Sequence, residues 1–270
     1  MSHRRFQFLL GWVAIAIAAP THAETFPNAC SAPRFASATA TSIDSLCGLA
    51  GSGGPEAPQN EAKNNFCPTA PAKAITIAEM VDLQKMVEQN KSIPFGNDRS
   101  HPLSSTHGPA QDRAPLVALG ESTEVILTGF VLVARQEGAE SVNCEKTVPD
   151  VPANHDIHIS IVDSASNTVE CTSVVVEMSP HHRPAAWNHA NVEAVATAHL
   201  PVRVTGQLFF DSSHTPCGSG GPVEGDPSRA SLWEVHPIYA FDVCTQGDCR
   251  TGGWVPLEQW KATPRARKGK

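Results

Sequence analysis

The stretch Asp156-Ile157-His158-Ile159-Ser160-Ile161-Val162-Asp163 alternates in hydrophobicity from its first residue to Ile161. Successive side chains of an extended strand point to opposite faces. Ile157, Ile159 and Ile161 therefore share one side, and Asp156, His158 and Ser160 the other. The turn Ser164-Ala165-Ser166-Asn167 follows, and residues 171–178 read as a partner strand. Upstream, residues 124–135 are β-branched and apolar, and Gly129 inside them predicts a bulge or bend. Downstream, the alanine-rich residues 184–199 predict a partly helical segment, and residues 202–211 and 232–243 a fourth and fifth strand. The order is three strands, a helix and two strands. It predicts a mainly β chain built on a five-stranded OB-like barrel with a helix between strands 3 and 4. A β-sandwich with an inserted helix is the alternative.

Ahead of the strands, Thr76-Ile77-Ala78-Glu79 has the form of a capping box. Ile77, Met80, Val81, Gln84 and Val87 continue at helical spacing, so an N-terminal helix is expected there, with Met80 and Val87 as core contacts. Residues 24–72 are rich in Ala, Ser, Pro, Gly and Asn and predict an irregular, Cys-rich arm; residues 91–114 predict loop. At the start, Arg4 and Arg5 precede an apolar run over residues 6–19, and Thr21-His22-Ala23 offers a cleavage site, the pattern of a signal peptide. The expected organisation is a signal peptide at 1–23, an arm and helix packed on the core at 24–114, an OB-like β domain at 115–250 and a tail at 251–270. The expected location is periplasmic or extracellular, with no stable membrane insertion after signal cleavage.

The formal charge is −7, and an acidic surface repels phosphate backbones, which counts against nucleic acid as a partner. That leaves an unknown protein or small ligand. The eight cysteines are an even set, as disulfides require, and no CxxC pair is present. Cys144 and Cys171 flank the strand at 156–163 and are expected to pair. Cys244 and Cys249 enclose a turn-like loop and are expected to form a second, local bridge.

Several segments carry a resemblance. They are Lys63-Asn64-Asn65-Phe66-Cys67, Glu140-Ser141-Val142-Asn143-Cys144, Asn154-His155-Asp156-Ile157-His158-Ile159, Glu177-Met178-Ser179-Pro180-His181-His182-Arg183-Pro184, Val202-Arg203-Val204-Thr205-Gly206-Gln207-Leu208, and Ser231-Leu232-Trp233-Glu234-Val235-His236-Pro237-Ile238-Tyr239. Together they resemble an uncharacterised family of exported bacterial proteins. The resemblance implies no activity. It implies that the Cys-rich arm belongs with the barrel as one unit.

The residue types that carry chemistry gather on strand faces. In the OB strand order, Asp156, His158, Glu177, Glu234 and His236 lie on neighbouring strands, with His181 in the loop after the third. Carboxylates and imidazoles within reach of one another suit a divalent metal, possible ligands being His158, His236 and Glu234. They also suit acid–base pairs or a half-buried hydrogen-bond network. Arg203 is expected to join an ion pair. Cys217-Gly218-Ser219-Gly220-Gly221 echoes a serine-protease nucleophile, but the acid that normally precedes the serine is missing. The leading expectation is a disulfide-stabilised binding or structural module of unknown ligand. The alternative is a metal-dependent hydrolase using the Asp/His/Glu cluster.

Overall fold

The computed structural model describes residues 43–96, 108–220, 222–246 and 249–262. The expected signal peptide and the basic end of the tail lie outside these residues. In chain order the elements are α1 (Ala57–Lys63), β1 (Lys73–Ile75), α2 (Ile77–Gln89), α3 (Ala114–Leu119), β2 (Glu124–Gln136), β3 (Ile157–Val162), β4 (Val174–Met178), α4 (His189–Ala198), β5 (Pro201–Phe210), β6 (Trp233–Cys244) and β7 (Trp254–Pro256).

Five strands close into a mixed barrel. β2 pairs antiparallel with β3, and β3 with β4. β4 runs parallel to β6, β6 antiparallel to β5, and β5 antiparallel to β2, which closes the ring. The barrel and the helix α4 between its third and fourth strands match the expectation from sequence. β1 adds in parallel to β2, and β7 to the far end of β6.

One face of the barrel wall is apolar. Ile157, Ile159 and Ile161 of β3 join Val174, Val176 and Met178 of β4, and Trp233, Val235 and Phe241 of β6, in a single buried cluster. Each such side chain contributes roughly 1.5–3 kcal/mol on leaving water. α2 adds Met80 and Val87 to the cluster, and α4 adds Val192 and Val195. The capping box forms as expected: Glu79 N–H donates to Thr76 Oγ1 at 3.1 Å, and Thr76 N–H to Glu79 Oε2 at 2.7 Å. Gly129 is needed for close approach, since a Cβ there would lie 2.6 Å from the Val162 carbonyl oxygen. The irregularity in β2 falls further on, between Val131 and Val133.

The opposite face of β3, β4 and β6 is also buried along the whole of each strand. The arm does this. Asn64, just past α1, donates from Nδ2 to the carbonyls of Leu49 and Val142, and Ser52 N–H donates to the Ser141 carbonyl. Cys47 is bonded to Cys144, which pins this layer across 97 residues of chain. In the chain-entropy account a loop of that length is worth about 4–5 kcal/mol. The expected Cys144–Cys171 bridge does not form. Cys171 instead bonds Cys217, tying the loop between β5 and β6 to the start of β4. Both departures have one cause: the arm and that loop fold over the same face of the barrel, and each takes one of the two cysteines. Cys244 and Cys249 form the expected local bridge. Cys67 is disulfide-bonded as well. Among the described residues no helix is long and apolar enough to cross a membrane.

Candidate functional site

The covered face holds a cluster of ionisable groups. Register places His158 of β3 opposite Glu177 of β4. The parallel pairing of Val176 with Val235 sets Glu234 and His236 of β6 alongside. Glu177 sits at the centre. Its Oε1 lies 2.9 Å from His158 Nε2, and its Oε2 lies 2.8 Å from His236 Nδ1. The two imidazoles thus share one carboxylate.

A further partner for Glu177 comes from the arm. α1 begins with Pro58 in its first turn, where a missing N–H costs nothing. It turns Gln59, Asn60 and Lys63 to its buried side. Lys63 Nζ reaches Glu177 Oε2 at 2.9 Å, Glu140 Oε2 at 3.5 Å and Asp156 Oδ2 at 3.7 Å. Burial opposes the ammonium charge, but Glu177, Glu140 and Asp156 outweigh it and hold Lys63 well above its ordinary value. His158 follows the same logic. Burial lowers it, yet Glu177 and then Glu140 raise it to about 10. Glu177 answers in the other direction: burial raises it, and His158 and Lys63 pull it well below the carboxylate range. The centre is therefore a carboxylate held between an imidazolium and an ammonium.

Next to it lies a less satisfied set. Glu140, Asp156 and His158 each present a ligand-type atom, all within 4.8 Å of one another. Asp156 is fully buried, and neither of its carboxylate oxygens accepts a hydrogen bond among the described residues. Glu140 is pushed up by burial, Lys63 opposing. His158 Nδ1–H donates to the Asp226 carbonyl at 3.0 Å, which turns Nε2 toward the carboxylates.

The remaining candidates go elsewhere. Glu234 is ion-paired with Arg229, both fully buried. Burial, then Glu177, push Glu234 well above the carboxylate range against the pull of Arg229. Glu234 thus faces Arg229 and stands outside the metal-type set, in contrast to the expected ligand trio, of which only His158 belongs to that set. His181 Nδ1–H donates to Asp44 Oδ1 at 2.7 Å, tying the loop after β4 to the arm. Arg203 pairs with Asp242 on β6 at 2.7 Å, outside the cluster. Ser219 donates to the Pro216 carbonyl within its own loop.

A polar cleft of about 310 Å3 borders the cluster, and Lys63, Glu140, Asp211 and His214 are among the residues that line it. Lys63, Glu140, Asp211, His214 and Arg229 were not among the residues read from sequence. Lys63 stands in a quoted motif, but nothing in its spacing says that it turns inward. Asp211 and His214 are three apart, at the end of a strand. No family model, curated protein or solved structure matches this chain.

Proposed function

We propose that this is a disulfide-stabilised binding module that takes up a divalent cation at Glu140, Asp156 and His158, beneath the polar cleft. The observation that carries the reading is Asp156. A buried carboxylate with no hydrogen bond costs several kcal/mol unless a charge meets it. Lys63, at 3.7 Å and nearer to Glu177, meets it only in part. The Nδ1–H to carbonyl bond of His158 is the kind of outer contact that orients a ligating imidazole. A mixed nitrogen and oxygen set suits zinc or another transition metal better than calcium or magnesium. A metal would take Nε2 and displace its proton. Export to the periplasm or the extracellular space fits the disulfides.

The test is metal analysis of pure protein before and after chelation, followed by titration with zinc. One equivalent is expected, abolished in Asp156→Asn with the fold retained. Protein that neither carries nor takes up metal at neutral pH would falsify the site. That outcome favours a second reading, in which Lys63, 2.9 Å from Glu177, is the cluster's own cation and the network serves to lock the arm to the barrel.

A further inference from the structure

In the cleft that Lys63 and Glu140 line stands an acid–imidazole pair that the cation site does not use. We infer that His214 is a general base facing the cleft, oriented by Asp211, and that the cleft hydrolyses small neutral or cationic esters.

The geometry is that of an oriented imidazole. His214 Nδ1–H donates to Asp211 Oδ2 at 2.6 Å. Asp211 is buried, and its other oxygen accepts from Gln59 Nε2 at 3.1 Å and from Ser213 N–H at 3.0 Å. Burial raises Asp211, but His214 and then Lys63 and Arg229 hold it far below the carboxylate range, so it remains an acceptor. For the neutral ring this selects the tautomer with the proton on Nδ1 and the lone pair on Nε2. Nε2 has no partner among the described residues, and the His214 side chain is 29 % exposed where it borders the cleft. The ring is also packed against the loop that follows it. Gly225 has a φ of +109°, and a Cβ there would come within 2.6 Å of His214 Cδ2. Glycine therefore lets this loop close over the ring.

A part-exposed imidazole bordering a water-accessible cleft and backed by a fixed carboxylate is what proton abstraction from water requires. The step balances simply. Water oxygen bonds the acyl carbon as its proton passes to His214 Nε2. The tetrahedral adduct then expels the alcohol oxygen, which leaves with the proton from Nε2. Water is the only co-reactant. The mouth selects the substrate's charge: Glu56, Glu140 and Glu145 border it, and its one lysine is held by Glu177. Phosphate esters are repelled and neutral or cationic carboxylic esters are admitted. No metal enters the step, so the inference stands apart from the cation site.

The experiment uses the full chain with p-nitrophenyl acetate, with and without EDTA, and p-nitrophenyl phosphate as the anionic comparison. Turnover of the acetate above a blank, unchanged by EDTA, is expected, with none of the phosphate. His214→Ala should lose about 100-fold or more, the usual worth of a general base. Asp211→Asn, as the loss of a positioning residue, should lower kcat with KM little changed. If the alanine variant does not fold, diethyl pyrocarbonate on wild type replaces it. Modification mapped to His214 should abolish turnover, and hydroxylamine should restore it. Absence of turnover in wild type overturns the inference, as does full activity in His214→Ala or in protein modified at His214.

Discussion

Two ion pairs in this molecule look alike by distance and differ in everything around them. Lys63 meets Glu177 at 2.9 Å, with side chains 7 % and 0 % exposed. Arg203 meets Asp242 at 2.7 Å, with side chains 34 % and 7 % exposed, and its guanidinium lies 4.9 Å from the Trp254 ring centroid. The shorter pair is the weaker one. Water screens Arg203, whereas Lys63, His158 and Glu177 depend on one another and on the buried groups around them, His236 and Asp156 among them. Burial makes such groups mutually dependent without making them a source of net stability, since an apolar substitute is often as stable. Lys63, Asp156, His158, Glu177, Glu234 and Arg229 are all buried, so the loss of any one of them falls on its neighbours rather than on water.

Removing the hub should cost most. Glu177→Gln leaves His158, His236 and Lys63 without their shared carboxylate. The expected loss is on the order of 3–5 kcal/mol, the range for breaking a buried pair, read as a lower urea midpoint. A loss below about 1 kcal/mol would mean that the cluster is wet and that the contrast with Arg203 is false.

Arg229→Met should cost less, although Arg229 and Glu234 are as deeply buried. Glu234 is already pushed well above the carboxylate range by burial and Glu177, so it can take up a proton when its partner goes. About 1–3 kcal/mol is expected, the cost of lost hydrogen bonds rather than of a stranded charge. A loss equal to that of Glu177→Gln would show Glu234 to be ionised and the two pairs to be equivalent.

Asp211 sharpens the comparison through pH. Its folded value is depressed, His214, Lys63 and Arg229 outweighing burial. A depressed carboxylate adds stability above its unfolded value, about 3.9, and loses it as the pH falls toward the folded value. The stability difference between wild type and Asp211→Asn should thus be flat above about pH 5 and shrink below about pH 4. A gap that widens in acid would reverse the sign and remove the charge from Asp211.

The barrel was legible in the sequence because its strands alternate. The apolar set Ile157, Ile159 and Ile161 could face only a core, and the order of segments named the rest. That His158, Glu177, Glu234 and His236 lie on neighbouring strands was legible too, once strand adjacency was assumed, but not which of the two glutamates joins the imidazoles. The covering layer was not. α1 presents a buried face of Gln59, Asn60 and Lys63, which leaves no hydrophobic period to detect. β1 and β7 are three residues long, shorter than any alternation can reveal. The Cys144 and Cys171 partners depended on that same layer. Nearness along the chain suggested one bridge, while the folding of the arm over the polar face gave two others. Asp211 and His214 were missed for a related reason: their meaning lies in a cleft that α1 helps to line.

Arg203→Ala should give the smallest effect and the one most dependent on conditions. Arg203 and Asp242 line one open cleft, so water reaches Asp242 when Arg203 goes and no charge is stranded. The loss should stay under about 1 kcal/mol, the range for a surface ion pair. Part of it belongs to the stacking on Trp254, which is worth roughly 0.5–1 kcal/mol at an exposed site. The two contributions separate in salt. At 1 M ionic strength the Debye length falls to about 3 Å and the ion-pair share should fade, while contact with the ring persists. Arg203→Lys keeps the charge but presents a poorer surface to the indole and cannot fork onto the carboxylate. If the alanine variant loses as much as Glu177→Gln, Arg203 is anchored more deeply than its exposure indicates. If salt leaves the loss unchanged, the ring contact, and not Asp242, is what holds Arg203 against β6 and β7.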